Sequence, residues 1–404
     1  MPEAQLGSRR SRIDALDGIR GVAIVLVVLS HGWTLFPLAP LRAAAPADGL
    51  FHAGNLGVSV FLVVGGFVVT RSLLARSQSA YGLRPWRYYV ERFVRIGVEV
   101  YPLLLVILLI SRVDHTDPYS AQTTGKSVLT IATFTWNWYL QNNALAARSD
   151  LGHMWYLSVQ EQFYVALVLL VLLLSRRRRW LAAGLAVAIV VVTIWRAHSY
   201  DVEGVYRASL RTTTRMDGLL WGALAALVVE HVARLRRYAG AALTLSLAGV
   251  AALVLSSARF GDHAYYTWQG VLIDVAVSVF VLGAYHVTTP ESPIVRAITW
   301  APLARLGTAS LAIYVWHYPI FWFVARHTHH WHWFTRTALG LAILVVVVVL
   351  MHKLVDEPTR RRLRRFATRP PRRHRRARSG TPPGELPAPP QPVGALQEGT
   401  HPVV

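Results

Sequence analysis

Residues 17–33 read DGIRGVAIVLVVLSHGW. The apolar run opens as a membrane span does and then carries a histidine, His31, well inside it. An ionisable side chain in hydrocarbon is costly unless paired or hydrated, so by default it marks a functional site. Ten residues separate Arg20 from His31. On one helix rising about 1.5 Å per residue the two lie about 16 Å apart, with Arg20 at a membrane face and His31 near mid-depth.

Outward from this stretch the chain keeps the same character. Of its 404 residues 53% are hydrophobic and 16% charged, with mean hydropathy +0.36. A soluble domain carries about a quarter charged residues. Apolar segments approaching the roughly 20 residues that cross a bilayer recur at about 19–38, 56–75, 96–111, 154–174, 180–196, 212–230, 239–257, 269–287, 304–325 and 335–355. The expected fold is therefore an all-α polytopic membrane protein with about ten transmembrane helices. The short segment 127–140 is read as a re-entrant or interfacial helix. If it crossed, the basic loops at Arg176-Arg177-Arg178-Arg179 and Arg234-Arg236-Arg237 would face outward, against the rule that Lys and Arg stay inside. That reading places the protein in the cell membrane with both termini cytoplasmic: a segment 1–14, a membrane domain 15–358 and a tail 359–404.

The formal charge is +21, and eleven arginines fall between Arg360 and Arg378, beside the last span. A juxtamembrane basic run of this kind is drawn to anionic lipid headgroups, which makes membrane lipid the expected partner rather than nucleic acid. Beyond about 379 the tail is rich in Pro and Gly and expected to be disordered. There is no cysteine, so disulfides and thiol nucleophiles are excluded.

His31 has company. The stretch GHMWYLSVQEQFY holds His153, Glu161 and Gln162; SLAIYVWHYPI buries His317; RTTTRMDGLLWG puts Arg215 and Asp217 at the mouth of a span. A second set gathers at the inner face, where Arg92 and Arg95 share one helical side with Arg20, Arg305 and the DEPTRR stretch at the same depth. Guanidinium forks match phosphate oxygens in pairs, so this set suits a phosphate-bearing donor. A neutral imidazole near mid-depth can deprotonate an attacking hydroxyl or take an acyl group itself. A carboxylate such as Glu161 could orient that ring and stabilise its charged form. The tract His327-Thr328-His329-His330-Trp331-His332 has neither carboxylate nor cysteine nearby and reads as an interfacial loop; no metal is indicated.

These residues also carry a resemblance. Arg20-x10-His31, the run GVSVFLVVGGF, Arg92-x-x-Arg95, HMWYLSVQEQFY, the Arg215/Asp217 block, SLAIYVWHYPI and DEPTRR occur in the order found in the integral-membrane acyltransferase-3 family, which the chain resembles over about 13–365. Three departures stand out: Gly65 where the family commonly has Ser, Tyr156 in place of Ser, and Gln160 in place of Glu. The family's proline after Arg-Ile is also missing here, leaving Glu99 near the donor path. The hydrolase-like domain carried by some members is not expected in so short and polar a tail. The resemblance implies an O-acyltransferase that moves an acyl group, typically acetyl, from acyl-CoA to a hydroxyl of a carbohydrate-bearing acceptor: a cell-surface glycan, a glycolipid or a glycosylated small molecule. On this reading His31 and Glu161 are catalytic, Arg20, Arg92 and Arg95 bind the acyl-CoA donor, and His153, Asp217 and His317 shape the acceptor pocket. The alternative is a proton-coupled multi-span transporter, which would use the same buried groups as relays. Its expected mark, an internal repeat, is not seen.

Overall fold

The structure is a computed structural model, and it describes residues 2–37, 45–79, 82–286 and 293–368. Those residues form helices and turns, with no strand among them. The helices are α1 (Pro2–Ser30), α2 (Ala45–His52), α3 (Gly54–Ser77), α4 (Pro85–Val113), α5 (Ala121–Ala132), α6 (Trp136–Asn143), α7 (Trp155–Leu174), α8 (Arg178–Leu210) and α9 (Thr212–Arg215). They continue as α10 (Asp217–Val228), α11 (Ala239–Ala264), α12 (Gly270–His286), α13 (Pro293–Ile298), α14 (Ala301–Thr308), α15 (Ser310–His327), α16 (Trp333–Met351) and α17 (Glu357–Thr368). Seven stretches among the described residues are long and apolar enough to cross a membrane, and one of them, His231–His286, holds both α11 and α12. The shorter α10 is apolar as well. The chain divides into a unit of residues 1–360 and a second of 361–404; the Pro-rich segment from 379 onward lies outside the described residues.

Helices in lipid gain little from apolar burial against one another, so close backbone approach at small residues takes its place. Two crossings of this kind organise the bundle. A Cβ on Gly307 of α14 would come within 1.7 Å of the Asp17 carbonyl oxygen, and one on Gly18 of α1 within 1.8 Å of the Ile298 carbonyl oxygen. A second pair locks α3 to α10: a Cβ on Gly66 would meet the Leu219 carbonyl at 2.2 Å, and one on Gly222 the Val63 carbonyl at 2.0 Å. The first crossing fixes α1, which carries Arg20 and leads into His31. Gly307→Ala is therefore expected to lower stability by about 1–3 kcal/mol through overpacking. An unchanged thermal midpoint in detergent would contradict this packing.

Several helices end where the apolar runs do not. The run from 19 to 38 leaves helical form at Ser30, whose hydroxyl bonds back to the Val27 carbonyl at 2.8 Å, and a 3-10 turn follows over Gly32–Thr34. His31 thus follows the end of α1 instead of lying in mid-helix. The expected span 304–325 is broken between α14 and α15, near Thr308, whose hydroxyl bonds the Arg305 carbonyl. The segment 127–140 is split between α5 and α6 at Phe134, which adopts φ 55. A bulky residue in that left-handed region needs outside support. Gln162 supplies it by donating to the Phe134 carbonyl at 2.8 Å and to Asn137 Oδ1 at 2.9 Å.

Candidate active site

Three histidines from distant parts of the sequence meet. His31 follows α1, His317 lies in α15, and His153 sits in the 3-10 turn Ser149–Met154 that leads into α7. Their ring centroids are 5.1 Å (His31–His317), 5.2 Å (His153–His317) and 6.4 Å (His31–His153) apart, and Tyr318 packs 4.4 Å from the ring of His31.

The hydrogen bonds fix which nitrogen carries each proton. His317 Nδ1 faces the carbonyl oxygens of Ile313 (3.0 Å) and Tyr314 (2.8 Å), which can only accept, so Nδ1 is the donor. In the neutral ring Nε2 is then an acceptor, and it lies 2.9 Å from His31 Nδ1, which must donate to it. The relay leaves His31 Nε2 with a free lone pair. Pro319 sets the third ring. Having no N–H, it leaves the Val315 carbonyl without its intrahelical donor, and His153 Nε2 donates there instead at 3.3 Å. His153 Nδ1 is buried and has no hydrogen-bond partner among the described residues.

Nearer the end of the bundle that carries Asp17 and Arg360 is a cavity of about 390 Å³. Arg20, Arg92, Arg95 and Arg360 line it, facing the carboxyl groups of Asp17, Glu99 and Asp356. Arg20 donates to Asp17 at 3.1 Å and to Ser310 Oγ at 2.9 Å, and Arg360 to Asp356 at 3.0 Å. Arg95 is exposed at this cavity, and no ion pair engages it among the described residues. Phe61, Tyr156 and Tyr314 also line the cavity, whereas none of the three histidines does.

Two expected pairings come out differently. Glu161 does not reach His31: its carboxylate is gripped by Arg92, with Nε 2.8 and 2.9 Å from the two oxygens and Nη2 at 2.6 Å. Eight residues of helix put Glu161 about 12 Å along from His153, at the level of Arg92, whose guanidinium also lies 3.8 Å over the Tyr164 ring. Asp217 is likewise buried and paired with an arginine, Arg196. Arg215 sits beside that pair, donating to the Tyr265 hydroxyl at 2.5 Å and lying 5.0 Å over the Trp155 ring. The structure therefore brings His31, His153 and His317 together, gathers Arg20, Arg92 and Arg95 around the cavity, and sets Glu161 and Asp217 on arginines. Sequence reasoning does not single out Tyr314 or Tyr318; the available signal is that Tyr314 shares a helical face with His317 three residues on and with Tyr318 four residues on.

A family model described as an acyltransferase domain matches residues 13–352. Among similar proteins are the peptidoglycan O-acetyltransferase OatA of Listeria monocytogenes, 25% identical over 77% of this chain and 50% of its own length, and the O-acetyltransferase OatA of Staphylococcus aureus, 23% identical over 77% and 51%. The putative peptidoglycan O-acetyltransferase YrhL of Bacillus subtilis is 25% identical over 76% of this chain and 48% of its own length. The chain spans about half the length of these curated relatives. No solved structure matches.

Proposed function

The chain belongs to the acyltransferase-3 family, and from that premise we propose that it is a multi-pass membrane acyltransferase that moves an acetyl group from acetyl-CoA, held in the arginine-lined cavity, to a hydroxyl of a cell-wall glycan such as peptidoglycan on the other side of the membrane. The observation that carries the reading is the free lone pair of His31 Nε2, produced by the relay through His317. His31 Nε2 takes the proton of the acceptor hydroxyl. The oxygen attacks the thioester carbonyl carbon, the C–S bond breaks, and the proton passes from Nε2 to the departing thiolate. The products are an ester and a free thiol. The unpartnered His153 Nδ1 is a second acceptor, suited to hold an acceptor hydroxyl in place. Because coenzyme A is cytoplasmic, the cavity end, with Asp17 and Arg360, faces the cytoplasm.

The donor half of this reading rests on the cavity's arginines. Its volume falls within the range of about 300–1,000 Å³ common for small-molecule sites, and among the described residues Arg95 is the lining arginine with no carboxylate in ion-pair contact. Arg95→Lys keeps the charge and loses the fork. A rise of about tenfold in KM for acetyl-CoA is expected, the size of one charge-assisted hydrogen bond, with kcat little changed. The exposed Arg305, which does not line the cavity, serves as the control, and Arg305→Lys leaves both constants alone. Equal KM values for Arg95→Lys and wild type would remove the phosphate role.

A further inference from the structure

The donor cavity and the histidines are separated by aromatic rings. The Tyr156 ring lies 5.3 Å from that of Tyr314 and 6.4 Å from that of Phe61, and all three line the cavity. Behind this wall the Tyr314 ring is 5.1 Å from His153 and 6.0 Å from His317. A thioester entering from the arginine end must pass the wall before its carbonyl meets His31.

The rings of the wall are not held alike. Tyr314 is buried, and its hydroxyl donates to the backbone carbonyl of His153, which ties it to the turn that sets that histidine. Tyr156, by contrast, has no hydrogen bond on its hydroxyl among the described residues, and it stands in the first turn of α7. Two rows face one another here. On α7 they are Tyr156, Gln160 and Tyr164, at helical spacing; on α3 they are Phe61 and Gly65. Gly65 keeps its row bare, since a Cβ there would come within 2.6 Å of the Tyr164 hydroxyl and 3.4 Å of Gln160 Nε2. The space beside Tyr156 is bounded by the Phe61 ring of α3 on one side and by the pinned ring of Tyr314 on the other, and it opens one turn further along onto the bare backbone at Gly65.

Building on the acyl-CoA reading, we propose that Tyr156 is the specificity-determining residue for acyl length: its ring is the movable leaf of the wall, and the space it vacates is sized for a short acyl group. Longer chains meet Tyr314, which its hydrogen bond to the His153 carbonyl holds in place. Filling or emptying a hydrophobic pocket by a methylene changes discrimination by about 10- to 200-fold, so removing a whole ring has a large effect on the ratio between donors.

The test uses the full chain in nanodiscs. Transfer or hydrolysis is measured with acetyl-, butyryl- and hexanoyl-CoA for wild type, Tyr156→Ala and Tyr156→Phe. Wild type is expected to prefer acetyl-CoA. Tyr156→Ala raises the hexanoyl-to-acetyl ratio of kcat/KM by about tenfold or more, and Tyr156→Phe, which keeps the ring, retains the wild-type ratio. A Tyr156→Ala ratio equal to wild type overturns the proposal, as does a Tyr156→Phe ratio as relaxed as that of alanine. If the alanine variant is not monodisperse, Tyr156→Leu is read in its place by the same criterion. Wild type inert towards every acyl-CoA would overturn the donor reading itself, a result distinct from an active enzyme with an unmoved ratio.

Discussion

His31→Ala is expected to lower acyl transfer by about 10²- to 10⁴-fold, the range of a lost general base, while the protein inserts and folds as before. Its ring is half-buried and lies just past the end of α1, so its removal leaves the helix itself intact. Transfer from radiolabelled acetyl-CoA in isolated membranes measures the effect, and transfer at the wild-type rate would take His31 out of the chemistry. His317→Ala should cost nearly as much although His317 is only a positioning residue. Without its Nε2 acceptor, the His31 ring is free to turn over or to move its proton to the working nitrogen. His317→Gln, which keeps a carbonyl oxygen to accept from His31 Nδ1, should recover part of the rate, a rescue that a purely structural role would not give. Label retained on the chain when acceptor is withheld would show that Nε2 carries the acyl group covalently instead of acting as a base.

Arg148→Ala is expected to be the most damaging change to stability. Arg148 is completely buried, with Nη2 2.6 Å from Asp150, Nη1 2.8 Å from Asp117 and 3.0 Å from Thr124 Oγ1, and its guanidinium 4.5 Å over the Tyr119 ring. Asp117 and Asp114 are in turn engaged by Arg326 near the end of α15, at 3.4 and 3.0 Å. One network thus ties the loop after α4, the helix α5, the turn bearing His153 and the helix bearing His317. Removing the cation leaves the buried Asp150 without a counter-charge and Asp117 with only the longer contact to Arg326, a loss of about 3–5 kcal/mol. Thermal unfolding followed by size-exclusion profile should show a markedly lower midpoint. Neutralising both partners as well, in Arg148→Ala with Asp117→Asn and Asp150→Asn, should restore part of it. An Arg148→Ala protein with an unmoved midpoint would show that the network holds nothing.

Much of the site was legible because expensive residues announce themselves. His31 and His317 each interrupt an apolar run, and Arg20, Arg92 and Arg95 stand at a common depth, so both groups could be found by asking which side chains a bilayer would reject. The same question, applied evenly, would also have found Arg196 in VVVTIWRAHSY and Asp274 in GVLIDVAVSVF, both fully buried in the structure. What the chain does not display is which helix faces which. Glu161 was paired with His31 because a carboxylate often orients an imidazole, yet the register of α4 against α7 places Arg92 in front of it. Helix ends were also hidden, since helical form ends at Ser30 and at Thr308 while hydropathy continues unchanged past them.

The aromatic wall between the arginine cavity and the histidines has a consequence for the cell as well as for the substrate. Energised membranes store a voltage and a pH difference, and any protein with a continuous water thread through it would discharge both. On the proposed function, rings packed at steep angles between the cavity and the histidines let group transfer proceed across the membrane while the barrier stays electrically tight, so vesicles carrying this protein should hold a proton gradient as long as empty ones do.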